Sequence, residues 1–65
     1  MMSGIVKFFF EAKGIGFITP ADGGEDVFVH KSALGGQRIV EGQKVEFDIV
    51  KNKAGALAAA NVRTM

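Results

Sequence analysis

Apolar and polar positions alternate along much of this chain with a period of two, the spacing that sends neighbouring side chains to opposite faces of a strand. The clearest case is Gln43 to Val50, where Val45, Phe47 and Ile49 interleave with Lys44, Glu46, Asp48 and Val50. That segment predicts a half-buried strand with Phe47 in the core. Ile5 to Phe10 is rich in β-branched and aromatic residues and stops at Glu11-Ala12-Lys13-Gly14, which predicts a first strand and a turn. Ile15 to Thr19, ended by Pro20, is the second strand, and Asp26 to His30 the third. Between them, Ala21 to Glu25 supplies the Asp and Gly that a tight connection needs. Lys31 to Leu34 predicts a short helical turn closed by Gly35-Gly36, followed by a loop to Glu41. Lys51 to Gly55 reads as a turn and Ala56 to Arg63 as the last strand, although its alanines suit a helix by propensity alone.

Five short strands joined by Gly and Asp turns predict an all-β domain closed into a small barrel, because closure removes edges that would otherwise pair with other chains. Residues 1–65 form one such domain, with no repeat, linker or low-complexity tract. Within it, Lys13 to Pro20 and Asp26 to His30 each alternate apolar residues with residues suited to meet a ligand. The phase puts Ile15, Phe17, Phe28 and His30 on one open face. Gly14 and Gly16 remove side chains around Ile15, which lets another backbone or a flat ligand approach.

A chain of 65 residues buries only about 60% of the surface its unfolded form exposes, so its stability is expected to be small. It has no cysteine, hence no disulfide and no thiolate metal site, and nothing points to an oxidising compartment. The start lacks a basic region before an apolar run, and Ile5 to Phe10 is too short to span a bilayer, so a cytoplasmic protein without membrane contact is expected. The net charge is only +1, which by itself calls for no polyanion. The signs come in blocks, with Asp22, Glu25 and Asp26 together in one turn and Lys51, Lys53 and Arg63 near the end. A basic face therefore depends on folding to gather lysines such as Lys7, Lys13 and Lys31.

Catalysis finds no constellation. His30 is the only histidine, and Ser3 and Ser32 lack a base and an orienting acid. The acidic turn is better read as solvated than as a cation site, and Gly14-Ile15-Gly16 is no dinucleotide fingerprint because a strand follows it and Thr19 stands where a third glycine belongs. Neither a cofactor nor a metal is expected. Binding to unpaired bases has a direct physical basis, since every base has a π face and each one stacked on an aromatic side chain contributes about 1 to 3 kcal/mol. His30 offers a further flat ring that stacks or donates a hydrogen bond.

The same segments resemble the two ribonucleoprotein-like motifs of the bacterial cold-shock proteins. The likeness runs from Gly4-Ile5-Val6-Lys7 through Lys13-Gly14 to Pro20, Asp26 to His30, Ser32-Ala33-Leu34 and Glu41 to Val45, and reaches Ala59-Ala60-Asn61-Val62. An ordered series of this length is far more specific than a single short motif. The resemblance implies a five-stranded antiparallel OB-type barrel and an RNA chaperone that binds single-stranded RNA or DNA with little sequence preference and influences transcription or translation. It also implies that Lys7, Phe8, Phe9, Lys13, Phe17, Phe28 and His30 stand at binding positions; Ile15 and Lys31 join them by phase and by adjacency. Strict alternation puts Phe8 on the face opposite Lys7 and Phe9, so a binding role for Phe8 requires a bulge or bend in the first strand.

Departures from the family pattern fall on the rings. Phe8 replaces a customary tryptophan, Phe10 an asparagine and Ile15 a phenylalanine, and Lys31 stands where many members have another phenylalanine. The loop Gly35-Gly36-Gln37-Arg38 is short and lacks its aromatic, and Gly55-Ala56 replaces Gly-Pro. A depleted surface of this kind leaves a rival expectation: a degenerate barrel with weak nucleic-acid binding that acts as a protein-interaction module, or as a homodimer instead of a monomer, through the Phe8 to Phe10 patch.

Overall fold

A computed structural model describes residues 2–51 and 55–65. Its strands are β1 (Met2–Phe10), β2 (Ile15–Pro20), β3 (Val27–His30), β4 (Lys44–Lys51) and β5 (Leu57–Thr64), with a 3₁₀ turn at Lys31–Leu34 between β3 and β4. Asn52, Lys53 and Ala54, in the turn expected at 51–55, lie outside the described residues. Around the closed barrel the order is β1-β2-β3-β5-β4. β1 pairs antiparallel with β2 and with β4, as do β2 with β3 and β4 with β5. The closing seam differs: β3 meets β5 in parallel, Phe28 opposite Ala58, because the chain runs through all of β4 before it returns.

Inward positions of the period-two pattern make the core. Val6, Ile18, Val27, Val29, Val45, Phe47 and Val62 are buried, and Leu34 of the 3₁₀ turn and Ala59 join them. Phe47 and Val45 are inside as alternation predicts, with Ile49 packed against them and Val50 exposed. Ile39 is the exception to the pattern, a residue of the 35–41 loop that is nonetheless buried in the same cluster.

The alanines of β5 form a strand and not a helix. Their helix propensity amounts to a few tenths of a kcal/mol per residue relative to other small or polar types, less than the pairing with β4 and β3 supplies. Two irregularities break the ladders. β5 holds an extra residue where its register against β4 shifts between Glu46 and Asp48, and Asn61 there takes φ 52°, a left-handed conformation that Asn tolerates. β1 holds one where its register against β2 shifts between Val6 and Phe8. No helix among the described residues is long and apolar enough to cross a membrane.

Candidate nucleic-acid interface

The extra residue in β1 is Lys7. Val6 lies opposite Ile18 and Phe8 opposite Phe17, so Lys7 has no partner of its own and the alternation restarts after it. Val6 is buried, Lys7 is exposed and Phe8 is turned outward beside it. This is the bulge that a surface role for Phe8 requires.

Two rows of residues result on the outer face of β1, β2 and β3. In the first, Phe8 pairs with Phe17 and Phe17 with Phe28 across the strands, with ring centroids 5.5 and 5.8 Å apart. The second row runs Phe10, Ile15, His30. The rows touch where the Phe8 and Phe10 rings lie 5.0 Å apart at 42°. Ring pairs at such separations and tilts are mutually favourable, so the rows hold their own shape before any ligand arrives.

Phe9 belongs elsewhere. Its ring packs against the core, half-buried, over Gly16, where an added Cβ would come within 2.7 Å of it and would also meet the Phe8 carbonyl oxygen. Phe9 thus stands apart from the two rows, although it is half-buried like Phe8, Phe17 and Phe28, and Phe10, 53% exposed, lies in the second row. Of the two approaches that Gly16 permits in principle, the structure uses the neighbouring backbone. At Gly14, with φ +69°, the close neighbour is the aliphatic stem of Lys31, 2.7 Å from an added Cβ. The Lys31 N–H donates to the Gly14 carbonyl at 2.8 Å, which fixes this lysine at the end of the second row.

The cations are less free than the sequence implies. Lys7 donates to Asp26 at 2.9 Å, and Thr19 donates to the other carboxylate oxygen at 3.1 Å. The hydrogen bond from Lys7, and after it that from Thr19, holds the Asp26 carboxyl below its ordinary value. Arg38 approaches Glu11 at 3.9 Å, a loose and highly exposed pair. Lys13 and Lys31 remain exposed beside the second row. His30 Nδ1 accepts from the Ser32 N–H at 3.1 Å and lies 2.9 Å from the Ser32 hydroxyl, which caps the 3₁₀ turn. With Nδ1 accepting, the neutral ring carries its hydrogen on Nε2.

The surface is open. Beyond Phe17 and Phe28 a shallow groove continues to Gly55, Ala56 and Leu57, with Glu25 and Asp26 on its wall. A larger hollow, about 810 Å³, lies between the 3₁₀ turn and β5 and carries none of the rings. Stacking needs a platform more than an enclosure, so the ring face is the stronger candidate.

A small closed barrel that turns a ladder of touching rings and adjacent lysines outward defines a nucleic-acid-binding protein of the OB type. The chain belongs to the cold-shock domain family: residues 2–65 match the "Cold-shock" DNA-binding domain. It is 54% identical over 67 residues to a cold shock protein CspA of Rhizobium meliloti, covering 97% of each chain. It is 52% identical over 68 residues to a cold shock-like protein CspA of Stigmatella aurantiaca, with 100% of this chain and 98% of that one covered. A cold shock-like protein CspC of Escherichia coli strain K12 is 55% identical over 64 residues, covering 94% of this chain and 91% of the relative.

Proposed function

We propose that this protein binds single-stranded RNA or DNA with little sequence preference, and that it acts as an RNA chaperone influencing transcription or translation. The row Phe8, Phe17, Phe28 carries the reading. Three rings in contact accept bases by their faces, which all bases share, and a duplex keeps those faces buried in its own stack. Holding a strand open then needs no nucleotide hydrolysis. Binding energy offsets the lost pairing, and weak secondary structure melts by mass action. In this reading the protein works as a monomer in the cytoplasm. No cofactor, metal or catalytic step belongs to this reading.

Titration of a labelled pyrimidine-rich single strand and a duplex of equal length, at several salt concentrations, tests it. The single strand is expected to bind much more tightly, with a shallow salt dependence of near −0.7 in log–log slope for each phosphate neutralised. Phe17→Ala and Phe28→Ala are each expected to weaken it by about 1 to 3 kcal/mol while the barrel keeps its circular dichroism spectrum. Equal affinity for the duplex overturns the proposal.

A further inference from the structure

The second row holds one exposed apolar ring, Phe10, at its β1 end. It lies directly across the β1–β2 ladder from Ile15. Phe10 takes no part in the core, is 53% exposed, and its ring leans on Phe8 at 5.0 Å. The tight turn after it holds the chain close, since the N–H groups of Lys13 and Gly14 donate to the Phe10 carbonyl at 3.1 and 2.7 Å. Lys13 follows in that turn, Lys31 lies over Gly14, and Arg38 reaches Glu11 beside it. An exposed apolar ring beside a turn that carries Lys13 and is packed by the Lys31 stem suits a base with its phosphate attached.

We infer that Phe10 is the stacking platform of an additional subsite for one unpaired base, completed by Ile15 as its floor and His30 at its far end. The inference rests on the single-strand reading above. The side chains beside the Phe10 ring, Phe8 and Ile15, carry no hydrogen-bonding group, so stacking on that ring selects no base by itself, and any preference falls to the His30 Nε2–H. A base here extends the bound strand past the first row.

Fluorescence anisotropy with end-labelled oligothymidylates of increasing length, from three to eight nucleotides, tests the assignment on the wild type, Phe10→Val and Phe10→Tyr. Valine keeps strand propensity and apolar area but removes the π face. The expected result is that affinity for Phe10→Val stops rising one nucleotide earlier and ends about five- to a hundred-fold below the wild type at the longest lengths, with Phe10→Tyr close to the wild type. If Phe10→Val tracks the wild type at every length, Phe10 is no subsite. If the wild type itself fails to bind eight nucleotides, the single-strand reading falls and this inference with it, a distinguishable outcome. Sedimentation velocity on the same samples reads the rival occupant: a wild-type dimer that Phe10→Val dissociates without loss of affinity per chain assigns the ring to a second copy and overturns the proposal. Ultraviolet crosslinking of the wild type to a 5-iodouracil strand checks the site without any variant. Crosslinks at Phe10 together with Phe17 or Phe28 support it, and crosslinks at Phe17 or Phe28 that spare Phe10 overturn it.

Discussion

His30 carries its two roles on two different nitrogens. Nδ1 caps the 3₁₀ turn through the Ser32 N–H, which leaves Nε2 of this exposed second-row residue without a part in the cap. Alanine at this position removes the ring and the cap together, so its effect on binding is confounded with its effect on the turn. Asparagine supplies an acceptor for the same N–H and has no ring to stack. His30→Ala is accordingly expected to lower both the thermal midpoint and the single-strand affinity. His30→Asn is expected to retain most of the stability, a cap being worth roughly 0.5 to 2 kcal/mol, and still to lose about 1 kcal/mol or more of binding. Thermal melts and titrations on the two variants separate these contributions. An asparagine variant that binds like the wild type would mean that the ring touches no base.

At the scale of elements, β1 and β2 approach so closely that Gly16 has room only for hydrogen. A methyl group there meets the Phe8 carbonyl oxygen and the Phe9 ring, and backbone does not yield as a flexible side chain would. Gly16→Ala is expected to cost about 1 to 3 kcal/mol, which in a domain this small lowers the melting midpoint by roughly 5 to 15 °C; circular dichroism melts measure it. The strands themselves were legible because Val45, Phe47 and Ile49, or Val27 and Val29, repeat with period two against polar or outward partners. The Leu57–Thr64 strand was legible only in part, since alanines satisfy helix and strand alike and the deciding contribution is pairing with β3 and β4. Strict alternation through the three consecutive phenylalanines of β1 loses its phase after Lys7, because a bulge is a property of two paired strands and one segment does not reveal its partner's register. Only family likeness brings Phe8 to the surface row, whereas alternation and likeness both put Phe9 with Lys7, and the bulge sets Phe9 apart from the two rows. Phe10 stands out in the sequence only as a departure from the family pattern at the end of an apolar run, a new contact or an exposed apolar patch. Ile39, in an irregular loop, has no periodicity to announce its burial.

Over the whole molecule, charge is arranged locally, since the net value is only +1. Asp26 links β1 to the start of β3 by accepting from Lys7 and from Thr19. Its folded carboxyl titrates below the unfolded value of about 3.9. The stabilisation from this link is therefore fully present above that unfolded value, and it is lost as pH falls through the lower folded one. Thermal midpoints of the wild type and Asp26→Asn are expected to differ at neutral pH, with the wild type higher, and to converge in strong acid. The difference is small because Lys7 is largely exposed. A gap that persists unchanged at the lowest pH would assign the effect to something other than this carboxylate. The same lysine shows what the bulge in β1 gives the surface. A regular strand offers one face a side chain only every second residue, about 6.6 Å apart. At Lys7 and Phe8 two successive residues, with Cα atoms about 3.8 Å apart, both turn outward, so a lysine tied to Asp26 and a ring leave the strand side by side where alternation allows one or the other. For a barrel with so few outward positions, that local doubling raises the density of usable groups without lengthening the chain.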